Sequence, residues 1–421
     1  MKKKILFKAP VLTRSGYGEQ SRFALRALMS RQDLFDIYIQ PITWGQTSWI
    51  LDGGDIDRAW IDTTVEKTIG YIQQGGQFDI SFQVTIPNEW EKLAPINVGF
   101  TAGIETTKVA HQWIQKGNEM DKIVVVSTHS KNVFDETKYA GVNEQTQQEV
   151  RLELTTPVIA VNYPAKSYET LPELDIDFKH DVNFLVVAQL GPRKNMPNTI
   201  KWFMEEFHDD EVGLVLKTNL AKNCIMDRTR VLSQIEAMSA QFPDKKCSIY
   251  LIHGDMEDAE MHSLYNHPKI SALLSLAHGE GFGLPMFEAA YSGLPVVSTG
   301  WSGQLDFLVD EDKKERFYNV AFDMQSIPEE VFWEGVIIRE SMWAYPREQS
   351  AKNKMRHCYK DLVEETPDSP AIDACGFAVT VQERFNQEKQ YKLMVSTLEE
   401  YTQSSDESEW QDVIGQVVEY D

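Results

Sequence analysis

Apolar and polar positions along the chain fall into two alternating series. In the first, strand-like runs ("KILFKAPVL", "FDIYIQPI", "FDISFQV", "INVGFTAG", "KIVVVST") are interleaved with helix-like ones such as "EQSRFALRALMSR", whose apolar residues recur at helical spacing. The second series opens at "VNFLVVAQL". It continues through a helix at "TIKWFMEEF", the strand "VGLVLKT", a long helix near 226–241, "SIYLIHG", the helix "EDAEMHSLYNH", "ISALLSLA" and "LPVVSTG". Short apolar strands alternating with amphipathic helices predict parallel sheets covered by helices on both faces. The polar, proline-punctuated stretch "PAKSYETLPELDIDFKH" between the series reads as a linker.

The expected fold class is therefore α/β, with two doubly wound Rossmann-like domains facing each other across a cleft. Their predicted bounds are 1–165 and 181–365, joined by a linker at 166–180. Residues 366–421 are expected to form a loop, one amphipathic helix from Val379 to Tyr401 and an acidic tail. In open α/β sheets ligands bind beyond the carboxyl ends of the strands, so candidate chemistry is sought in the segments that follow strands.

Composition narrows the class. At 421 residues, with 42% apolar and 25% charged positions, the chain reads as an ordinary soluble globular protein large enough for two cores. No apolar run approaches the roughly 18 residues needed to span a bilayer, and Lys8 and Pro10 interrupt the N-terminal one. Cys224, Cys247, Cys358 and Cys375 lack metal-binding spacing and are expected to be buried thiols, which implies a cytoplasmic location.

Net charge is −23, but residues 1–31 carry Lys2, Lys3, Lys4, Lys8, Arg14, Arg22, Arg26 and Arg31 against only Glu19. That edge is +7 on a remainder of −30. It is either a set of solvated surface charges or a site for an anionic acceptor, DNA or a membrane surface.

The most informative stretch is "HGEGFGLPMFEAAYSGLPVVSTG", in which Glu280 and Glu288 flank a glycine loop that leaves the strand "SALLSL". Gly281 and Gly283 allow close approach of backbone amides to a ligand, and Pro285 suits the first turn of a helix whose N-terminus favours an anion. Carboxylates would repel a phosphate alone. They fit a ligand that also offers hydroxyls, because an ionised carboxylate accepts hydrogen bonds from sugar hydroxyls. A nucleotide sugar has both parts. As isolated residues, Glu280 would be loop surface and Glu288 a helix-start charge.

"EGFGLPMFEAAYSGLPVVST" resembles the E-x7-E region of retaining GT-B glycosyltransferases, particularly glycosyltransferase family 4, and the likeness extends through "SGQLDFL". The resemblance implies transfer of a sugar, with retention, from a UDP- or GDP-linked nucleotide sugar to a glycan or other hydroxyl acceptor, without a bound metal or other cofactor. It assigns Glu288 to the nucleotide ribose and Glu280 to orientation of the donor sugar. Gly281, Phe282, Gly283, Leu284, Ser302 and Gly303 would line the donor. "GPRKN" and "LVLKT" place Arg193, Lys194 and Lys217 after strands, where cations can stabilise a departing diphosphate. The arginine that family members carry five positions before the lysine is Gln189 here.

In the N-terminal half, "TRSGYGEQSR" resembles the family's first glycine loop, which gives Ser15, Gly16, Tyr17 and Gly18 as residues facing donor and acceptor. "FTAGIETTKVAHQW" resembles a loop at the reaction centre, with Glu105 and Thr106 as its best matches, and "VVVSTHSKNVF" a helix start on the acceptor side. Glu280, Glu105 and Lys194 are the expected catalytic residues; Glu105 could equally be a helix cap.

Other readings fit less well. Gly16-x-Gly18 with Asp36 mimics a dinucleotide fingerprint, but the third glycine is Ser21 and the acid precedes its strand. Asp55-Ile-Asp57 and Asp175-Ile-Asp177 mimic a metal-binding DxD without its strand-end context. His253, His262, His267 and His278 lack metal spacing, with His278 expected to pack or cap the donor loop. Trp343 and Tyr345 are expected to pack between domains. Two further functions remain open: transfer to a hydroxymethylated base in DNA, and a non-catalytic nucleotide-sugar-binding protein.

Overall fold

The computed structural model describes residues 2–45, 47–50, 56–142 and 148–402. Asp55, the side chain of Asp57 and the acidic tail lie outside the described residues. The N-terminal half contains β1 (Lys3–Ala9), α1 (Gly16–Met29), β2 (Phe35–Pro41), α2 (Ile56–Gln73), β3 (Ile80–Val84), β4 (Ile96–Thr101), α3 (His111–Gly117), β5 (Lys122–Val125) and α4 (Thr128–Glu136). A small hairpin of β6 (Lys138–Val142) and β7 (Glu149–Glu153) and the strand β8 (Val158–Ala160) follow. Six of these strands form one parallel sheet in the order β2-β1-β3-β4-β5-β8.

A second parallel sheet uses β9 (Asn183–Val187), β10 (Gly213–Lys217), β11 (Ser248–Ile252), β12 (Ile270–Ser275), β13 (Val296–Thr299) and β14 (Tyr318–Val320), in the order β11-β10-β9-β12-β13-β14. Its helices are α5 (Met196–Glu206), α6 (Ile225–Ser239), α7 (Asp258–Tyr265), α8 (Leu284–Tyr291), α9 (Leu305–Leu308) and α10 (Glu348–Glu364). The strand sequences are apolar on successive positions because helices cover both faces. Phe7, Phe82 and Phe100 fill the first core, and Phe184, Leu214 and Leu274 the second. Both sheets match the architecture expected from the alternation.

Three features differ from expectation. An antiparallel hairpin, β15 (Phe322–Ser326) and β16 (Met342–Pro346), follows β14. Trp343 and Tyr345 on it pack against His278, at centroid distances of 5.6 and 4.2 Å. Two of the four thiols, Cys224 and Cys375, are exposed where buried ones were expected.

The expected single C-terminal helix is two, α11 (Ala374–Arg384) and α12 (Gln387–Glu399), broken at Phe385-Asn386. Asn386 has extended backbone, and its side chain accepts the Lys389 amide to start α12. The break has a packing cause: α11 lies on α8 of the second sheet's layer, whereas α12 lies on α1 of the first. One straight helix could not bury apolar residues against both. Met394, Val395 and Leu398 are buried, and Lys122 Nζ donates to the Thr397 carbonyl at 2.7 Å.

Among the described residues, no helix is long and apolar enough to cross a membrane.

Candidate functional site

The carboxyl ends of the two sheets face each other, and the loop after β12 meets the loop after β4. A methyl group placed on Gly281 would lie 2.4 Å from the Ala102 carbonyl oxygen, and one on Gly279 would lie 2.3 Å from that of Glu105. Residues at these positions are excluded unless they lack Cβ. Ser127, the N-cap of α4, donates to the Gly281 carbonyl at 2.5 Å, and Asp306 of α9 accepts from Thr128 N and Asn162 Nδ2, both at 2.8 Å. The two halves are therefore closed on each other at the expected donor loop.

Glu280 sits at the centre of this contact. It is buried, and its two carboxylate oxygens are divided between Lys194 Nζ and Arg193 Nη1, the latter at 2.9 Å. Burial alone would raise its pKa, but Arg193 and Lys194 more than offset burial and bring it down to about 2. Arg193 also reaches across the cleft to Glu105, with Nη2 3.2 Å from Oε1, and donates to the Gly279 carbonyl at 2.7 Å.

The loop itself is pinned from behind. Ser302 Oγ accepts the Glu280 amide at 2.9 Å, and Gly303 N donates back to the Glu280 carbonyl at 3.0 Å. Gly283, with φ +94°, turns the chain into α8, and Leu284 is its first residue. Phe282 points into the interdomain core against Tyr163, Phe287 and Phe307.

Eight positions on, Glu288 lies in a second charged group. It accepts from Tyr265 OH at 2.8 Å, and burial pushes its pKa up to about 7 against the opposing influence of Lys166 and of that hydrogen bond. Lys166, from the segment between β8 and β9, ties Glu19 of α1 to Asp258 of α7 at 2.7 and 2.8 Å.

The N-terminal loop is organised by local capping. Ser15 caps α1 by accepting from Gly18 N at 3.0 Å, Gly16 opens the helix, and Tyr17 OH bonds Thr101 Oγ1 at 2.8 Å. Thr106 is buried and donates to the Lys108 carbonyl at 3.1 Å.

The structure thus brings Glu280, Arg193, Lys194 and Glu105 into one network. It places Glu288 in a neighbouring one and Lys217 apart from both. Lys217 stands at the end of β10, donates to the Gly254 carbonyl and has its pKa lowered by burial. Gln189 is exposed and turned away, donating to the Leu220 carbonyl at 2.6 Å.

Sequence reasoning did not single out His129. Its ring meets Trp301 edge-on at 4.8 Å across the cleft, and burial lowers its pKa to about 4, so it is neutral at physiological pH. Only its place in "VVVSTHSKNVF" hinted at this.

Among the described residues, no group of three or more His, Cys, Asp or Glu side chains is placed to hold a metal ion. His253 binds Asp227, His267 accepts from Lys269 N, and Asp177 pairs with Lys269. The basic residues near the N-terminus are largely compensated: Lys8 pairs with Glu91, Arg14 with Glu257, Arg22 with Glu19, and Arg31 with Asp33.

A groove of about 980 Å3 lies away from this network, lined by Thr128, Asp306, Arg316, Asp373, Arg384 and Lys389. The space beside Lys194 and Glu280, lined by residues of the second sheet's layer alone, is only about 10 Å3.

Residues 177–327 match the family described as glycosyl transferases group 1. None of the curated proteins matches the sequence. Among solved structures, a glycosyltransferase from Rickettsia africae superposes with a TM-score of 0.58 at 13% identity, over 96% of this chain and 100% of its own. Anabaena HepE in complex with UDP and glucose gives 0.52 at 13% identity, over 94% and 100%. An Escherichia coli trehalose-6-phosphate structure bound with UDP-2-fluoro glucose gives 0.56 at 9% identity, over 95% and 99%. At such identities the likeness is one of fold. The segment that carries both glutamates and the cations beside them thus lies within the stretch that matches group 1 glycosyl transferases, in a chain with the two-domain GT-B fold.

Proposed function

We propose that the protein transfers a sugar from a UDP- or GDP-linked nucleotide sugar to a hydroxyl of a glycan or lipid-linked glycan, with retention of configuration. The observation that carries this reading is the buried Glu280 carboxylate shared by Arg193 and Lys194 at the carboxyl ends of β9 and β12. Two cations, Arg193 and Lys194, and two carboxylates, Glu280 and Glu105, neutralise one another in this network. A donor diphosphate entering beside them takes over part of the cations' hydrogen bonding. Arg193 and Lys194 then face the oxygen on which charge grows as the glycosidic bond breaks, which is where fixed cations lower a barrier most.

Glu280, held ionised, accepts from donor-sugar hydroxyls and fixes the sugar's orientation. Glu288, which gives up its proton near neutrality, accepts from the ribose hydroxyls, and Lys217 supplies the positive charge that Gln189 does not. Glu105 and His129 approach from the opposite sheet, on the side from which an acceptor enters. The acceptor oxygen bonds to the anomeric carbon on the face from which the diphosphate departs, the bond from that carbon to the phosphate oxygen breaks, and an oxygen of the leaving phosphate takes the acceptor proton. Metal independence rests on the resemblance.

The reading is tested by thermal shift with UDP, GDP, ADP and their sugars on the wild type and on Glu288→Gln. One nucleotide should stabilise the wild type and do so less in the variant; no stabilisation by any of them would overturn it in favour of a non-catalytic protein.

A further inference from the structure

The two most exposed large apolar side chains among the described residues are adjacent, Ile225 at 70% and Met226 at 67% relative exposure. They open α6, on the loop that leaves β10 just after Lys217. Lys222, Arg228 and Arg230 flank them in sequence, all exposed and without an ion-pair partner among the described residues. The one acid in this stretch, Asp227, is turned inward and buried.

The setting is built rather than loose. Asp227 accepts the amides of Leu220, Ala221 and Lys222 at 3.0, 2.8 and 2.9 Å, and His253 Nε2 lies 2.9 Å from Oδ1, the oxygen that takes the Leu220 amide. Burial opposes ionisation of this carboxyl, but the three amides and His253 hold its pKa well below the usual range. The loop is thereby fixed in a form that presents two aliphatic side chains to solvent beside three exposed cations, on a chain whose net charge is −23.

We propose that residues 221–230 dock the protein on the surface of an anionic lipid bilayer, with Ile225 and Met226 entering the acyl boundary and Lys222, Arg228 and Arg230 lying among the headgroups. Aliphatic tips with a basic rim match the two layers of such a surface. A nucleic acid would use the cations and leave the aliphatic pair without a role, since base recognition by unspecific contact relies on aromatic faces. The loop leaves the carboxyl end of the second sheet, so docking there brings the cleft to the membrane. This agrees with a lipid-linked acceptor, but the docking itself does not depend on the proposed transfer.

The test is co-sedimentation of the full chain with phosphatidylglycerol vesicles and with phosphatidylcholine vesicles, at low and high salt. Binding is expected to the anionic vesicles only, and weaker at high salt. Ile225→Ser/Met226→Ser and Arg228→Glu/Arg230→Glu should each reduce partitioning by at least about tenfold, while unfolding temperature and nucleotide-induced thermal shift stay as in the wild type. Absence of binding to anionic vesicles, or binding that both double variants retain, would overturn the proposal. So would capture of an oligonucleotide that depends on the arginines but not on the aliphatic pair. A vesicle result leaves the proposed transfer untouched, and the nucleotide panel leaves the docking untouched, so failure of one is distinguishable from failure of the other.

Discussion

Arg193 of the second sheet's layer and Glu105 of the first stand 3.2 Å apart, and Arg193 is at the same time 2.9 Å from Glu280. One guanidinium therefore links the two halves of the molecule at the loop expected to hold the donor. Closure and the charge state of the donor loop are the same event, because separating the halves deprives Arg193 of one of its two carboxylates.

Glu280→Gln leaves Arg193 and Lys194 buried with one counter-charge fewer. Transfer should fall by about 10²–10³ in kcat, and the protein should lose roughly 3 kcal/mol of stability. Steady-state kinetics and chemical denaturation check the two effects. Full turnover in the variant would remove Glu280 from the mechanism.

Acid should act through the same residue. Its carboxyl is held near 2, below an ordinary value of 4.5, so the stabilisation it provides is complete above that ordinary value and is lost as pH falls from there towards 2. Denaturation midpoints followed through this window should drop more steeply for the wild type than for Glu280→Gln.

Glu288 predicts the opposite sign. Its folded-state pKa is raised to about 7, so the native state holds a proton that the unfolded chain releases near 4.5, and stability falls as pH rises between those values. Relative to the wild type, Glu288→Gln should therefore gain stability on going from pH 5 to pH 8, by up to about 3 kcal/mol. A difference that does not change with pH would show that Glu288 titrates normally.

Gly281→Ala should separate folding from closure. The added methyl meets the Ala102 carbonyl at 2.4 Å, a backbone atom that can move only with its whole layer. Both sheets should still fold, while small-angle scattering shows a more open particle and transfer drops by about 10² or more. An unchanged scattering profile with wild-type rates would show that the halves need not touch here.

Lys217→Met tests the cation that stands alone. It should raise the donor KM and lower kcat by about tenfold or more, with little change in unfolding temperature. Gln189→Arg in that background should restore part of the loss if an arginine from that position reaches the same phosphate, and none if its direction towards Leu220 is fixed.

Much of this was legible in the sequence. The strands announced themselves as short apolar runs, and Glu280, Glu288, Arg193 and Lys194 lie in segments whose spacing is local. Contacts made by bringing two separate layers together were not. Nothing in "TAGIETT" says that Glu105 will meet Arg193, or in "STHSKN" that His129 will meet Trp301, because the rotation of one half against the other determines both. The break at Asn386 was missed for a related reason. Apolar residues continue at helical spacing through it, and only the destinations of α11 and α12 differ. An asparagine just before "QEK" was the available sign, as a side chain able to restart a helix.

The return of α12 to α1 also bears on how the molecule is made. The first sheet is synthesised early, yet Phe23 and Leu28 belong to a core that Met394, Val395 and Leu398 complete. A ribosome delivers that cover only after the entire second sheet has emerged. Until then the early layer carries an uncovered apolar seam, open to chaperones and to other nascent chains. The half that is translated first is the half that matures last.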